Sequence, residues 1–84
     1  MLFSRPFRLR AAVDVELFGH LAPSQPRRRT LALEKPMTVR EIVDLLGLDP
    51  DSIGLIVING VQSEAEDAVP PDGRLCFFPP VSGG

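Results

Sequence analysis

The sequence holds one cysteine, Cys76, one histidine, His20, and neither tryptophan nor tyrosine. A lone cysteine forms no internal disulfide, and one cysteine with one histidine cannot assemble a metal cluster, so no metal site is expected. The same scarcity points to a reducing, cytoplasmic setting. No apolar run reaches the length of a membrane span, and none follows Arg5, Arg8 and Arg10 as a signal peptide's apolar region would. Neither secretion nor a membrane partner is expected. No nucleophile stands near a base, and 84 residues leave no room for an enclosed active site. The chain is therefore not expected to be an enzyme by itself.

What is present suits one small domain. Hydrophobic residues make up 44% of the chain and charged ones 24%, a balance that argues against wholesale disorder. The net charge of −2 is unevenly spread: residues 1–40 carry eight basic and three acidic side chains (+5), and residues 41–84 carry Arg74 alone against eight acidic ones (−7). An acidic C-terminal half suits a basic partner surface. It does not suit nucleic acid, which wants a contiguous basic face. The cluster Arg27-Arg28-Arg29 reads as a solvated hairpin tip, because no aromatic residue interleaves it.

Apolar and charged residues alternate through Val13-Asp14-Val15-Glu16-Leu17, the period of a half-buried strand over about residues 12–18. After the polar stretch Pro23 to Arg29, alternation resumes at Thr30 and continues to Glu34, completing a hairpin with a long loop. Thr38 and Glu41 can form a capping box with Met37 stapled onto Ile42. Val39, Ile42, Val43 and Leu46 then recur at helical spacing, and Gly47 stops the helix. Leu55-Ile56-Val57-Ile58 is a continuous run suited to a central strand. Asn59-Gly60 favours a type I′ turn into a short return strand at Val61 and Gln62, followed by an acidic loop around Glu64, Glu66 and Asp67. Pro70-Pro71-Asp72-Gly73 is a second turn signal, and Arg74 to Phe78 form the last strand, which Pro79 ends.

This order predicts an α+β fold of the β-grasp kind for residues 12–80: a mixed sheet of four to five strands on one main helix, the last strand parallel beside the first. Residues 1–11, basic and interrupted by Pro6, read as an irregular extension. A disordered leader, an upstream start codon and an extra partner contact all remain open for them. If Val13, Val15 and Leu17 face the helix, Phe18 turns to the other face, and so does Phe78 if Leu75 and Phe77 point inward. Two neighbouring exposed phenylalanines would then anchor a partner beside the root of the tail.

Residues 81–84 read as a flexible tail ending in a diglycine. Without Cβ atoms Gly83 and Gly84 can enter a narrow cleft, and Pro79 and Pro80 hold the chain extended ahead of them. The terminal carboxylate of Gly84 is the candidate reacting group, although Gly and Ser are also common at ordinary frayed ends. A carboxylate is a poor electrophile until another enzyme's site closes around it and activates it. Gly84 would supply the acyl group and Gly83 the clearance, while Val81 and Ser82 would offer backbone contacts in a channel. Cys76, in mid-strand, reads as packing or interface, and His20 as structural or exposed.

The stretch Leu75-Cys76-Phe77-Phe78-Pro79-Pro80-Val81-Ser82-Gly83-Gly84, preceded by Asp72-Gly73 and by the turn Ile58-Asn59-Gly60, resembles ubiquitin-like sulfur carriers of the MoaD/ThiS type, most closely the small subunit of molybdopterin synthase. The resemblance spans about residues 12–84. It implies that an E1-like adenylating enzyme uses ATP to activate the Gly84 carboxylate and that sulfur then replaces the adenylate, leaving a covalent thiocarboxylate. No cofactor would be bound permanently. It further implies a heterotetramer with the large subunit of molybdopterin synthase, which receives the tail and passes sulfur to a pterin precursor of the molybdenum or tungsten cofactor.

The segment Pro23 to Arg29 departs from the helix-leaning stretch common in the molybdenum proteins, which keeps other pathways open. The sulfur carrier for thiamin-thiazole synthesis shares the fold and the diglycine but usually lacks the double-proline neck. A ubiquitin-like modifier joined to lysines through Gly84 would use the same tail. A β-grasp binding module with an idle tail would not use it at all.

Overall fold

In the computed structural model, residues 11–81 of the chain are described. The expectations for residues 1–10 and for Ser82, Gly83 and Gly84 lie outside that range. Five strands and one helix follow in order: β1 Ala11–Leu17, β2 Arg28–Leu33, α1 Val39–Leu46, β3 Leu55–Ile58, β4 Val61–Ser63 and β5 Arg74–Phe78, with a 3-10 turn at Pro50–Ser52. They form one sheet in the order β2-β1-β5-β3-β4. β5 is parallel to β1 and antiparallel to β3, and the two hairpins are antiparallel, so the sheet is mixed and the fold is the β-grasp arrangement.

Alternation along the strands decides what is buried. Val13, Val15 and Leu17 of β1 and Leu75 and Phe77 of β5 point to one face, where α1 covers them, and Leu75 and Phe77 have no exposed surface. The helix contributes Val39, Ile42, Val43 and Leu46 to the same core. Its start is secured twice. Thr38 Oγ1 accepts from the Glu41 amide at 3.2 Å, and Glu41 Oε1 accepts from the Thr38 amide at 2.9 Å, completing the capping box. The acidic loop then crosses over the first turn, where the carbonyls of Asp67 and Ala65 accept from the amides of Val39 and Arg40, groups that have no partner within a helix. At the other end, Gly47 and Leu48 donate to Asp44 and Val43 in a Schellman motif.

Both turns read from sequence are present. Asn59 and Gly60 have φ of 52° and 82°, as a type I′ turn requires. Asp72 has φ of 60°, and Gly73 donates to the Pro70 carbonyl at 3.0 Å, closing the second turn.

Three readings need adjustment. β1 spans Ala11–Leu17, so it begins one residue earlier than the alternation suggested and ends before Phe18. The arginine cluster is solvated at Arg27 and Arg28, as expected, but it is not confined to a hairpin tip: Arg28 and Arg29 open β2 opposite Glu16 and Val15, because pairing with β1 extends beyond the apolar alternation. The loop before them is tied down too, since Gln25 Nε2 donates to the Leu46 carbonyl at 2.7 Å. Finally, β3 lies inside the sheet as its composition suggested, yet only Ile58 is buried: among the described residues no element covers the face opposite α1, where Leu55 and Val57 lie.

Ile42 has no exposed surface and sits among the core residues of both layers. Replacing it with alanine is expected to lower stability by about 2–5 kcal/mol, read from the midpoint of denaturant unfolding.

Candidate functional site

The sheet face opposite α1, which no element among the described residues covers, carries the candidate site. Residues paired across strands share a face, so the partners of Phe78 and Cys76, namely Leu55 and Val57, lie opposite the helix with them. Phe18 follows β1 directly, and its amide donates to the Phe77 carbonyl at 2.9 Å, which holds it level with Phe78. The two rings stack with centroids 4.3 Å apart and planes 13° apart. Both rings are half-buried rather than open, because each covers the other. Leu55, Val57 and Cys76, also half-buried, extend the apolar patch along β3 and β5.

A charged border lies next to the patch along β1. Glu16 accepts from Arg74 Nη2 at 2.7 Å and faces Arg28 Nε at 3.9 Å. The hydrogen bond and charge of Glu16 hold the Arg74 guanidinium above its ordinary pKa. All of these cations are open to solvent, so the pairs set the shape and sign of the border more than they stabilise the fold. Asp14 beside them accepts from Thr30 Oγ1 at 2.8 Å.

Beyond Phe78 the chain leaves the sheet beside this patch. β5 runs between β1 and β3, and after Phe78 it continues into Pro79, which is half-buried, then Pro80 and Val81, of which Val81 is 93% exposed. The Gly54 amide donates to the Phe78 carbonyl at 2.8 Å and closes the ladder just where Pro79, lacking an N–H, ends it. The structure thus brings Phe18, Phe78, Pro79 and Pro80 together at the end of the central strand β5, where the chain leaves the sheet. His20 is exposed next to Gly19, and Cys76 lies on the patch rather than in the core.

Sequence reasoning did not single out Leu55, Val57, Glu16 or Arg74. The first two had a signal: the run Leu55 to Ile58 holds more apolar side chains than one sheet face uses. The ion pairs had none, since Arg74 meets Glu16 only through the parallel register of β1 and β5. No helix among the described residues is long and apolar enough to cross a membrane.

A β-grasp sheet whose central strand feeds an extended C-terminal segment defines a ubiquitin-like protein. A family model bears this out: the ThiS family matches residues 15–84, and the chain belongs to that family. Members of this family are small ubiquitin-like carriers rather than catalysts, and they work with an E1-like activating enzyme and with target enzymes. Among solved structures, the solution structure of the HVO 2177 protein of Haloferax volcanii aligns with a TM-score of 0.69 at 16% identity, covering 98% of this chain and 94% of the other. The crystal structure of SAMP1 from Haloferax volcanii aligns with a TM-score of 0.65 at 24% identity, covering 87% of this chain and 99% of the other. At these identities the likeness is one of fold. A comparison with curated proteins returned no match.

The stacked rings generate a measurable expectation. In a double-mutant cycle of Phe18→Ala and Phe78→Ala, unfolding free energies should reveal a favourable coupling of about 0.5–1.5 kcal/mol. Additive effects of the two substitutions would show that the rings act independently.

Proposed function

We propose that this chain is a cytoplasmic sulfur carrier that donates sulfur in molybdopterin biosynthesis as the small subunit of molybdopterin synthase, with Gly84 as its reacting terminus. The observation that carries the proposal is the path of the chain: the central strand β5 passes through Phe78, Pro79 and Pro80 toward the diglycine, and the family match runs through Gly84.

The chemistry divides between this chain and its partners. An oxygen of the Gly84 carboxylate attacks the α-phosphorus of ATP in the E1-like enzyme, and pyrophosphate leaves. Hydrosulfide, a sulfide-level nucleophile, then attacks the acyl carbon and AMP leaves, so that the terminus becomes a thiocarboxylate. This chain supplies no acid or base to either step. Its part is to present an acyl group without side chains and to dock. Phe18 and Phe78 form the apolar anchor at the base of the tail, where aromatic groups commonly concentrate binding energy. Pro79, Pro80, Val81 and Ser82 span the distance from that anchor to the reacting atoms, and Gly83 gives clearance in the channel. The large subunit of molybdopterin synthase would receive the tail and complete the transfer within a heterotetramer.

A second reading, sulfur donation for the thiazole of thiamin, is favoured by the match to the ThiS family and by the departure at residues 23–29. Both readings share the activation step and differ only in the acceptor enzyme.

Intact mass of the chain purified under native conditions should show the increase of one oxygen exchanged for sulfur, and deletion of Gly84 should abolish it. Thiocarboxylated protein mixed with an active large subunit should convert the pterin precursor. Failure there, with success on a thiazole synthase, would replace the first reading by the second, and branched diglycine peptides on lysines would point to protein modification instead. Gly83→Phe should block activation or transfer, yet shift stability by no more than about 0.5 kcal/mol, because the buried core residues among those described all lie between Val13 and Phe77.

A further inference from the structure

Both strands that flank β5 present a glycine where the tail leaves the sheet. β1 pairs with β5 in parallel with Leu17 opposite Phe77, and β3 pairs antiparallel with Leu55 opposite Phe78. Extending each register to Pro79 brings Gly19 to one side of it and Gly54 to the other. The two positions lie at opposite ends of their own strands in the chain, so only the sheet brings them together around the neck.

The two glycines are needed for different reasons. Gly54 is not in the left-handed region, so backbone strain is not what calls for glycine there. What it lacks is room. A Cβ there would overlap Pro80 Cα and lie 2.6 Å from Pro80 N and 2.8 Å from the Pro79 carbonyl oxygen, all of them backbone atoms of the neck. Carbon atoms in ordinary contact stand about 3.5–4.0 Å apart, so the neck would have to move by about 1 Å. Gly19 has φ of +67°, and a Cβ there would meet Pro79 Cγ at 2.7 Å and Cδ at 3.2 Å. Gly47 provides the contrast: its φ is +70°, but nothing lies within 4 Å of an added Cβ.

We propose that Gly54 and Gly19 form a saddle that seats Pro79 and Pro80, and that Gly54 is a positioning residue for activation of the tail. The proline neck has few conformations of its own. The backbone hydrogen bond from Gly54 to the Phe78 carbonyl and the close seating at Pro80 reduce them further, so that the tail leaves the docking face in one direction. Pre-setting that direction spares the activating enzyme the ordering of a loose segment. The positioning role rests on the functional reading given above, whereas the seating itself stands on the geometry of the neck alone.

The test compares the unsubstituted chain with G54A, G19A and G47A. Nuclear Overhauser contacts between residue 54 and Pro80 report the seating without any partner. Adenylation by the E1-like enzyme, followed as pyrophosphate release, reports its consequence. The unsubstituted chain and G47A should show the contacts, and G47A, although less stable, should be adenylated normally. G54A should keep a dispersed amide spectrum, lose the contacts and fall in kcat by up to about a hundredfold, as misplacements of about 1 Å can cause. Its KM should stay within about twofold, because the Phe18 and Phe78 face still docks. G19A, which pushes the ring from the other side, should show the same direction of change and serves as the second variant should G54A fail to fold.

Retention of the contacts in G54A, an unchanged kcat, or an equal loss in G47A would each overturn the proposal. If the unsubstituted chain itself is never adenylated, the sulfur-carrier reading falls with the positioning role, and the contacts alone decide whether the saddle exists.

Discussion

Everything distinctive about this molecule depends on β5 occupying the middle of the sheet. Its inward residues, Leu75 and Phe77, lose all exposure beneath α1, and its backbone is paired on both sides. A parallel partner cannot be reached by a tight turn, so the chain between β1 and β5 must include a long crossover. Here that crossover holds β2, the helix and the β3-β4 hairpin. Once it is closed, the last strand is held from both sides, and the segment beyond it leaves from a fixed point. A working end beyond it would benefit from such a root, because docking of the domain then limits where that end can go.

The charge asymmetry acquires a more exact meaning in three dimensions. Several carboxylates of the acidic half are engaged in local structure: Glu41 caps α1, Asp49 caps the 3-10 turn, Asp67 accepts from the Glu64 amide, and Glu66 holds Arg40 through its Nε at 2.7 Å and its Nη2. These groups remain exposed and still contribute to the field that a basic partner would meet. Their placement, however, answers to the helix start and the turns. Next to the apolar patch the border is mixed, with Arg74 and Arg28 around Glu16, so that face offers both signs at close range.

Much of the fold was legible because its signals are local. Thr38 and Glu41 meet across one turn of helix, Gly47 ends that helix, and Asn59-Gly60 turns a hairpin within two residues. The alternation in β1 correctly separated Val13, Val15 and Leu17 from Phe18. Where the reading slipped, longer-range pairing had prevailed: Arg28 and Arg29 became strand because β1 offered them partners, and the apolar run of β3 remained half open because no element among the described residues covers its second face. Phe18 and Phe78 could be assigned to a common face from sequence, but not their stacking, which requires the parallel register to bring them level.

By itself the sequence determined the inventory: the capped helix, the turns, the strands with one apolar face, and an end made of two prolines and two glycines. Such features arise from backbone angles and hydrogen bonds within a few residues, where side-chain chemistry acts directly. The tertiary structure alone decided what surrounds the neck. Gly54 reads in the sequence as an ordinary glycine before a strand, and Gly19 as one after a strand. They flank Pro79 and Pro80 because β5 enters between β1 and β3 in a particular register, and a register is settled by the packing of the whole sheet, not by either glycine.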